Sequence, residues 1–297
     1  MLTATTASAA VRVARPPLTA QNTPTVSDED FLKFREFFYR KTGIYFEESK
    51  RYFVDKRLVE RLDATGTPNF REYFVNLRFD TRGEELQALV NTMTVNETYF
   101  FREEYQFKCM VASLLPEIIR TKRPGDPIRI WSIPSSSGEE PYSICLYLLE
   151  HWPDIDRYDV EIVASDIDTN ILDQARAGIY SPRSVQNLPA AMLQKYFKKT
   201  RTGDWQINND LREAVEFTQC NLSDPLSARS YRNFDLIFCR NLLIYFDDVS
   251  RRSAADVFYN ALNPNGFICL GHSESMSRIS SVFRIRKFAD AIVYQKP

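Results

Sequence analysis

The sequence predicts an α/β fold: a doubly wound, parallel sheet with a small antiparallel β insertion, preceded by an all-α unit. Three observations predict it. After residue 125, short apolar runs of strand length alternate with runs of helical periodicity, the pattern of a parallel sheet covered by helices on both faces. Between residues 28 and 93, apolar residues recur instead at helical spacing. Between Gly178 and Glu216 the alternation breaks into a polar segment carrying Tyr180, Pro182, Trp205 and Ile207, which reads as an inserted subdomain of short strands at about 178–216.

The elements follow in order. Residues 1–27 are rich in Ala, Thr and Pro, with no acid before Asp28, and read as a flexible tail; Arg12 and Arg15 interrupt the only apolar stretch, so it lacks a secretory core. Asp28-Glu29-Asp30 places acids in a first helical turn, Phe31, Phe34, Phe37 and Phe38 repeat at helical spacing, and Gly43 closes that helix. A second helix is expected from Ser49 to Leu62, with Val54, Leu58, Val59 and Leu62 on one broad face and Lys50, Arg57 and Arg61 on a narrow stripe beside it at i, i+7 and i+11. On spacing alone a solvated face explains that stripe; its functional alternative is a docking surface for an acidic partner helix. Helices at Asn69–Arg78 and Glu84–Met93 complete a bundle over 28–93, and residues 94–297 form the second domain.

In that domain Ile128–Ile133 is a strand, followed by a Ser/Gly loop, Glu139-Glu140-Pro141, and a helix carrying Ile144, Cys145, Leu148 and Leu149. Val160–Ala164 is the next strand, ending at Asp166 and Asp168. Phe234–Cys239 ends at Arg240-Asn241 and precedes a helix from about Val249 to Leu262. Asn263-Pro264-Asn265-Gly266 is a turn into strand Phe267–Leu270, and Phe283–Lys287 with Ala291–Gln295 makes a final hairpin. Ligands of such sheets bind at the carboxyl ends of the strands, which here gathers Ser132–Glu140, Asp166–Asp168 and Arg240-Asn241.

Composition removes several chemistries. Lysine plus arginine number 38 against 39 acids, a net charge of −1, without the basic excess of a nucleic-acid binder. The two histidines, His151 and His272, sit apart, and no CxxC or HxxxH spacing suggests a metal. The five cysteines are scattered in apolar runs and read as buried free thiols of a reducing cytoplasm. No stretch approaches the roughly 18 apolar residues of a membrane span.

The ligand follows from what the first loop lacks. GxGxxG and Walker patterns are absent, and Glu139-Glu140 would repel phosphate where a dinucleotide needs glycine amides. S-adenosylmethionine carries no phosphate. Its ribose hydroxyls suit a carboxylate at Asp166, and its cationic groups suit Glu139 or Glu140. Taken alone, an acidic helix start is a cap and dipole partner; its pairing with Asp166 one βαβ step later gives it functional weight.

These residues also carry a family resemblance. Asn96–Glu103 (NETYFFRE) resembles the NxTxFFRE segment of the CheR-type chemotaxis receptor methyltransferases, and Ser137–Ser143 resembles their STGEEPYS loop. Ala164–Asp168, Cys239–Phe246 and Gly271–Glu274 are similar to three further blocks in the same order, and the resemblance covers roughly residues 28–295. It implies a Rossmann-like class I methyltransferase domain with a three-stranded insertion and a helical docking domain. The implied reaction is S-adenosylmethionine-dependent methyl esterification of glutamates on the cytoplasmic helical bundle of chemoreceptors, with S-adenosylhomocysteine as product. Carried across, Asn96, Thr98 and Arg102 lie near the cofactor from the linker side, Glu139 and Glu140 serve from the first loop, Asp166 holds the ribose, Asn221-Leu222 flank the adenine, and Arg240-Asn241 close the site. Arg102 and Tyr245 face the transferred methyl group, and Lys50, Arg57 and Arg61 dock the receptor.

Two departures stand out. Ile133-Pro134-Ser135 replaces the small residues usual in the family, and proline removes an amide donor. The insertion lacks about three residues around Thr202-Gly203-Asp204, which resembles the branch that does not bind a receptor C-terminal pentapeptide. The expected protein is a cytoplasmic monomer without membrane insertion. The chemistry agrees with the inventory: a glutamate is ionised at neutral pH and attacks a sulfonium methyl in line, so catalysis is positioning and no histidine base is required. A methyltransferase for another substrate, or a non-catalytic sensor of the cofactor, are the alternatives; Arg102 and Tyr245 favour the enzyme.

Overall fold

The protein is described here from a computed structural model covering residues 26–297. The tail reading thus falls largely outside the described residues, and it gives way at its end. Val26 is buried, and the Ser27 side chain accepts from the Asp30 amide to cap the first helix.

Four helices build the N-terminal unit: α1 (Asp28–Thr42), α2 (Arg51–Thr65), α3 (Phe70–Arg78) and α4 (Glu84–Met93). Phe31, Phe34 and Phe38 of α1 meet Val54, Leu58 and Leu62 of α2 in one core, where each fully buried large side chain contributes roughly 1.5–3 kcal/mol. Asn69 caps α3 through its side chain, and the expected second helix starts late because Glu48–Lys50 form a separate 3₁₀ turn. That turn moves Lys50 off the helical repeat shared by Arg57 and Arg61. Arg61 is a correction as well. Its guanidinium clasps Glu85 with two bonds of 3.0 and 2.6 Å, and Tyr73 donates to the same carboxylate at 2.7 Å. Arg61 therefore ties α2 to α4 inside the bundle instead of facing a partner, because its countercharge lies on another helix.

A helical stretch follows, α5 (Tyr105–Cys109) and α6 (Leu115–Ile118), joined by a π turn at Met110–Leu114. The main sheet comprises β1 (Pro127–Ser132), β2 (Asp159–Asp166), β6 (Val215–Gln219), β7 (Phe234–Cys239), β8 (Leu262–Leu270), β9 (Arg284–Lys287) and β10 (Ile292–Gln295). Helices α7 (Glu139–His151), α8 (Thr169–Ala177) and α11 (Asp248–Ala261) connect its strands. Between α8 and β6 lies the insertion: β3 (Ile179–Tyr180), α9 (Ala190–Tyr196), β4 (Phe197–Lys199), β5 (Trp205–Ile207) and α10 (Asn209–Glu213), whose strands form a separate antiparallel sheet β3-β5-β4.

The main sheet runs β6-β2-β1-β7-β8-β10-β9, and only β10 runs against the common strand direction. Side chains alternate across it. Ile128 and Ile130 of β1 enter one core with Phe107 and Phe238, and Trp131 enters the other with Phe234 and Phe258. Chain order reverses between β1 and β7, so the crevice beyond their carboxyl ends is the switch point where ligands of such sheets bind. Two strand assignments change. Val215–Gln219 is an edge strand of the main sheet, its half-buried, polar sequence lacking the apolar run of an interior strand. β8 begins at Leu262, and the expected turn at Asn263–Gly266 is an irregularity within it. All five cysteines are buried and free. Among the described residues no helix is long and apolar enough to cross a membrane.

Candidate active site

The linker after α4 is folded over the switch point by its own aromatic pair. Phe100 is buried edge-on against Tyr180 and Phe197 of the insertion, 4.8 and 5.3 Å away, and its amide donates to Ser184 O. Phe101 is buried on the other side, its amide donating to Ser143 Oγ at 3.0 Å. With both rings sunk in the core, Arg102 is left facing the crevice, where its Nη1 donates to Glu97 O at 2.8 Å. The first loop turns at Gly138, whose φ of 95° is a glycine conformation and whose missing Cβ leaves room for Tyr142, Tyr180 and Ala175.

Between linker and loop lies a cleft that gathers six expected site residues: Asn96, Thr98, Arg102, Glu140, Arg240 and Asn241. Glu139 lines an adjoining cleft that shares the Asn96–Tyr99 wall. Pro134, which follows a cis peptide bond, and Ser136 line the floor of the first. Asp166 lies just beneath. Its two carboxylate oxygens accept from the Ser136 and Asp168 amides at 2.9 and 3.0 Å, and burial raises its pKa to about 6 against those two amide bonds.

The charges are arranged as a chain. Glu140 accepts from Ser132 Oγ at 2.8 Å and pairs with Arg240 at 3.0 Å. Arg240, 5% exposed, also pairs with Glu103 at 3.4 Å and donates to the Arg102 carbonyl. Glu103 in turn meets His272 Nδ1 at 2.8 Å. Burial pushes the Glu140 carboxyl up, with Arg240 opposing. Burial acts on Glu103 in the same direction but is outweighed by the His272 bond and Arg240, and its carboxyl is held below the usual range. Glu139 is locked by Ser137 Oγ and Ser184 Oγ at 2.6 and 2.7 Å.

Tyr245 lies in a 3₁₀ turn after β7, 37% exposed, and lines neither cleft. Burial raises its hydroxyl pKa, and the nearby Arg102 charge counters it. Asn221 and Leu222 are directed elsewhere. The Asn221 amide donates to Lys41 O at 2.7 Å, and Leu222 is buried in the core beneath α11. The sequence reading assigned no role of their own to three carboxylates that hold the site's shape, although it gathered Asp168 at the ligand end of the sheet. Asp168 caps α8 and binds both Thr94 Oγ1 and Asn96 Nδ2, at 2.6 and 3.0 Å. Glu103 anchors Arg240. Glu274 accepts from the amides of Gly271, Asn241 and Leu243 at 2.8–2.9 Å, fixing the turn that carries Asn241, whose φ is 60°. The one available signal was position: each follows a strand end or an expected site residue by one to four places.

The donor set fits a cationic, hydroxyl-bearing ligand. The N-terminus of α7 is occupied by Glu139 and Glu140, so phosphate is repelled there. Arg240, the buried cation, is already neutralised by two carboxylates. Ser136 Oγ, buried in the cleft floor, has no partner among the described residues and is free to bond a ligand.

Comparison with known proteins identifies the ligand. Residues 96–292 match the family model "CheR methyltransferase, SAM binding domain", and residues 29–94 match "CheR methyltransferase, all-alpha domain". The chain is 56% identical over 276 residues to chemotaxis protein methyltransferase 2 of Vibrio cholerae, covering 93% of this chain and 96% of that protein. It is 39% identical to chemotaxis protein methyltransferase 2 of Pseudomonas aeruginosa, with 86% and 90% covered. It is 35% identical to the chemotaxis protein methyltransferase of Escherichia coli, with 88% and 89% covered. With these matches spanning both the helical unit and the sheet, the chain belongs to the CheR methyltransferase family, a methyltransferase whose cofactor is S-adenosylmethionine.

Proposed function

We propose that this protein esterifies glutamate side chains on the cytoplasmic helical bundle of chemoreceptors, giving glutamate methyl ester and S-adenosylhomocysteine, in adaptation of chemotaxis or a related chemosensory pathway. One observation carries the reading. A partly exposed arginine, Arg102, lines the cleft and its charge reaches the Tyr245 hydroxyl, and among the described residues the cleft lining contains no histidine or cysteine. The cofactor supplies a methyl group on a positively charged sulfur. The acceptor carboxylate is already charged at neutral pH, so the protein's work is to hold it in line.

Arg102 orients one carboxylate oxygen. Its single side-chain bond to Glu97 O among the described residues leaves donors for that contact without a full bidentate clamp, which would quench the nucleophile. The Tyr245 hydroxyl steers the second oxygen. Asn96, Thr98, Glu139, Glu140, Arg240 and Asn241 surround the cofactor's amino-acid end and sulfonium. Asp166 accepts the ribose hydroxyls through its remaining lone pairs, and Asn221-Leu222 reach the adenine only if the Asn221 amide leaves Lys41 O. The test is transfer of labelled methyl from S-adenosylmethionine to receptor cytoplasmic fragments, read as mass added to glutamate. Cofactor binding without transfer would remove the enzyme reading.

The pKa of Asp166 gives this assignment a pH signature. An acid whose pKa is raised to about 6 loses its charge as pH falls through that value, and only the carboxylate accepts two hydroxyls. The Kd for S-adenosylhomocysteine should therefore rise about tenfold between pH 7.5 and 5, and Asp166→Asn should bind weakly with a flat profile. Calorimetric titration across that range checks it, and a flat wild-type profile would contradict the role.

Receptor docking is assigned to Lys50, which is exposed, and Arg57, since Arg61 is committed to Glu85. Arg57 is held half-exposed over Phe53 at 5.3 Å with one bond to Glu60, an arrangement that presents charge while fixing its direction. Arg57→Glu should raise the KM for receptor fragments at least tenfold through like-charge repulsion with acidic helices, leaving cofactor affinity unchanged. In the insertion, the β4–β5 turn is short, closed by Thr200 N to Asp204 O at 2.8 Å, and from its shortness recognition without a receptor pentapeptide is proposed. The protein is read as a cytoplasmic monomer that binds neither nucleic acid nor membrane.

A further inference from the structure

The turn carrying Tyr245 is short, a single 3₁₀ turn at Leu243–Tyr245 between β7 and α11, and it is held from outside itself. Glu274 takes the Leu243 amide, and Arg251 Nε donates to the Leu243 carbonyl at 2.9 Å. The remaining supports come from the N-terminal helical unit. Tyr45 N donates to Tyr245 O at 3.2 Å, Ile44 forms an antiparallel bridge with Phe246, and Tyr39 donates from its hydroxyl to Asp247 Oδ2 at 2.9 Å. Asp247 is the residue whose other oxygen caps α11 through the Ser250 amide.

The loop that makes these contacts is itself rigid. Thr42, buried, bonds Phe38 O and accepts from Ile44 N. Gly43, at φ 71°, packs so closely on Ser223 that a Cβ there would overlap its hydroxyl. Ile44 packs against both the helical core and the core beneath α11.

We propose that Tyr39 and the loop Lys41–Phe46 are positioning elements for methyl transfer: the unit that docks the receptor also fixes the backbone of Tyr245. This rests on the assignment of Tyr245 above. Docking and alignment then belong to one rigid body, so an acceptor helix seated on α2 meets a tyrosine whose place is set relative to that seat. Backbone placement matters at this level because a displacement of about 1 Å of an aligning group can cost up to 10²-fold in rate.

Two variants test it with receptor fragments and saturating cofactor. Tyr45→Pro removes the amide bonded to Tyr245 while Ile44, already extended in its bridge, tolerates a following proline. Tyr39→Phe removes only the hydroxyl bonded to Asp247. The expected result is a kcat reduced about tenfold in the first and about threefold in the second, with KM and S-adenosylhomocysteine affinity within about twofold of wild type. A 3-fluorotyrosine placed at position 245 should show a shifted fluorine resonance in both variants. Wild-type kcat in Tyr39→Phe with an unmoved resonance would overturn the proposal, as would a loss confined to KM. If the wild-type protein fails to methylate receptors, the functional reading falls, and the fluorine resonance alone then decides whether the loop positions residue 245.

Discussion

Arg240→Ala is expected to destabilise the protein by about 3–5 kcal/mol and to abolish measurable cofactor binding. The magnitude follows from what the substitution leaves behind. Arg240 is the shared cation of Glu140 and Glu103, at 3.0 and 3.4 Å, and it also donates to the Arg102 carbonyl. Its guanidinium lies 5.5 Å over the Phe107 ring. Truncation leaves two nearly buried carboxylates facing each other without a countercharge, which is the costly way to break a buried pair. At roughly 2–4 °C per kcal/mol for a chain of this size, the melting temperature should fall about 10 °C. Glu140→Gln added to Arg240→Ala should restore about 1–2 kcal/mol by removing one stranded charge, without restoring binding, because the linker loses its hold at Arg102. Thermal melts of the single and double variants check the charge argument. Equal melting temperatures for the two would show that lost packing, not stranded charge, sets the cost.

Arg102→Ala is expected to lower kcat on receptor fragments about 10²–10³-fold, while S-adenosylhomocysteine affinity falls about tenfold or less. Arg102 lines the cofactor cleft, so some affinity is lost. Its partly exposed guanidinium is the cation with donors to spare, whereas Arg240 is spent on its two carboxylates. Removing it should therefore affect the alignment of the attacking oxygen more than the cofactor. Arg102→Lys should recover only part of kcat, since a point charge does not reproduce the planar fork. Steady-state kinetics beside calorimetry separate the two effects, and an affinity loss as large as the kcat loss would make Arg102 a cofactor residue alone.

Much of this architecture was legible in the sequence because its signals are local. The interior strands β1 and β7 are short, mostly apolar runs broken by Arg129 and Asp235, and α4 carries a clean helical repeat with acids in its first turn. Glu139, Glu140, Asp166 and Arg240 were legible as candidate site residues because the carboxyl ends of parallel strands collect ligands. What stayed hidden depends on partners far away in sequence. Arg61 looked like one more cation on a stripe; its mate, Glu85, is 24 residues on and belongs to another helix. β6 carries a half-buried edge pattern that periodicity does not separate from the insertion before it. Glu274 and Asp168 are ordinary acids until folding brings three amides to one and the linker's Thr94 and Asn96 to the other. Asn221 shows the converse: the resemblance places it at the adenine, and in this structure its amide holds the helical unit at Lys41.

In the proposed reaction an already ionised glutamate is methylated by positioning alone, without a base on the enzyme. The most direct measurement is single-turnover methyl transfer to a receptor fragment at saturating S-adenosylmethionine between pH 7 and 9, with the product scored as alkali-labile ester. The expected result is a rate that is flat across that range and label released as methanol by mild base. A rate climbing about tenfold per pH unit, or label that survives alkali, would contradict it.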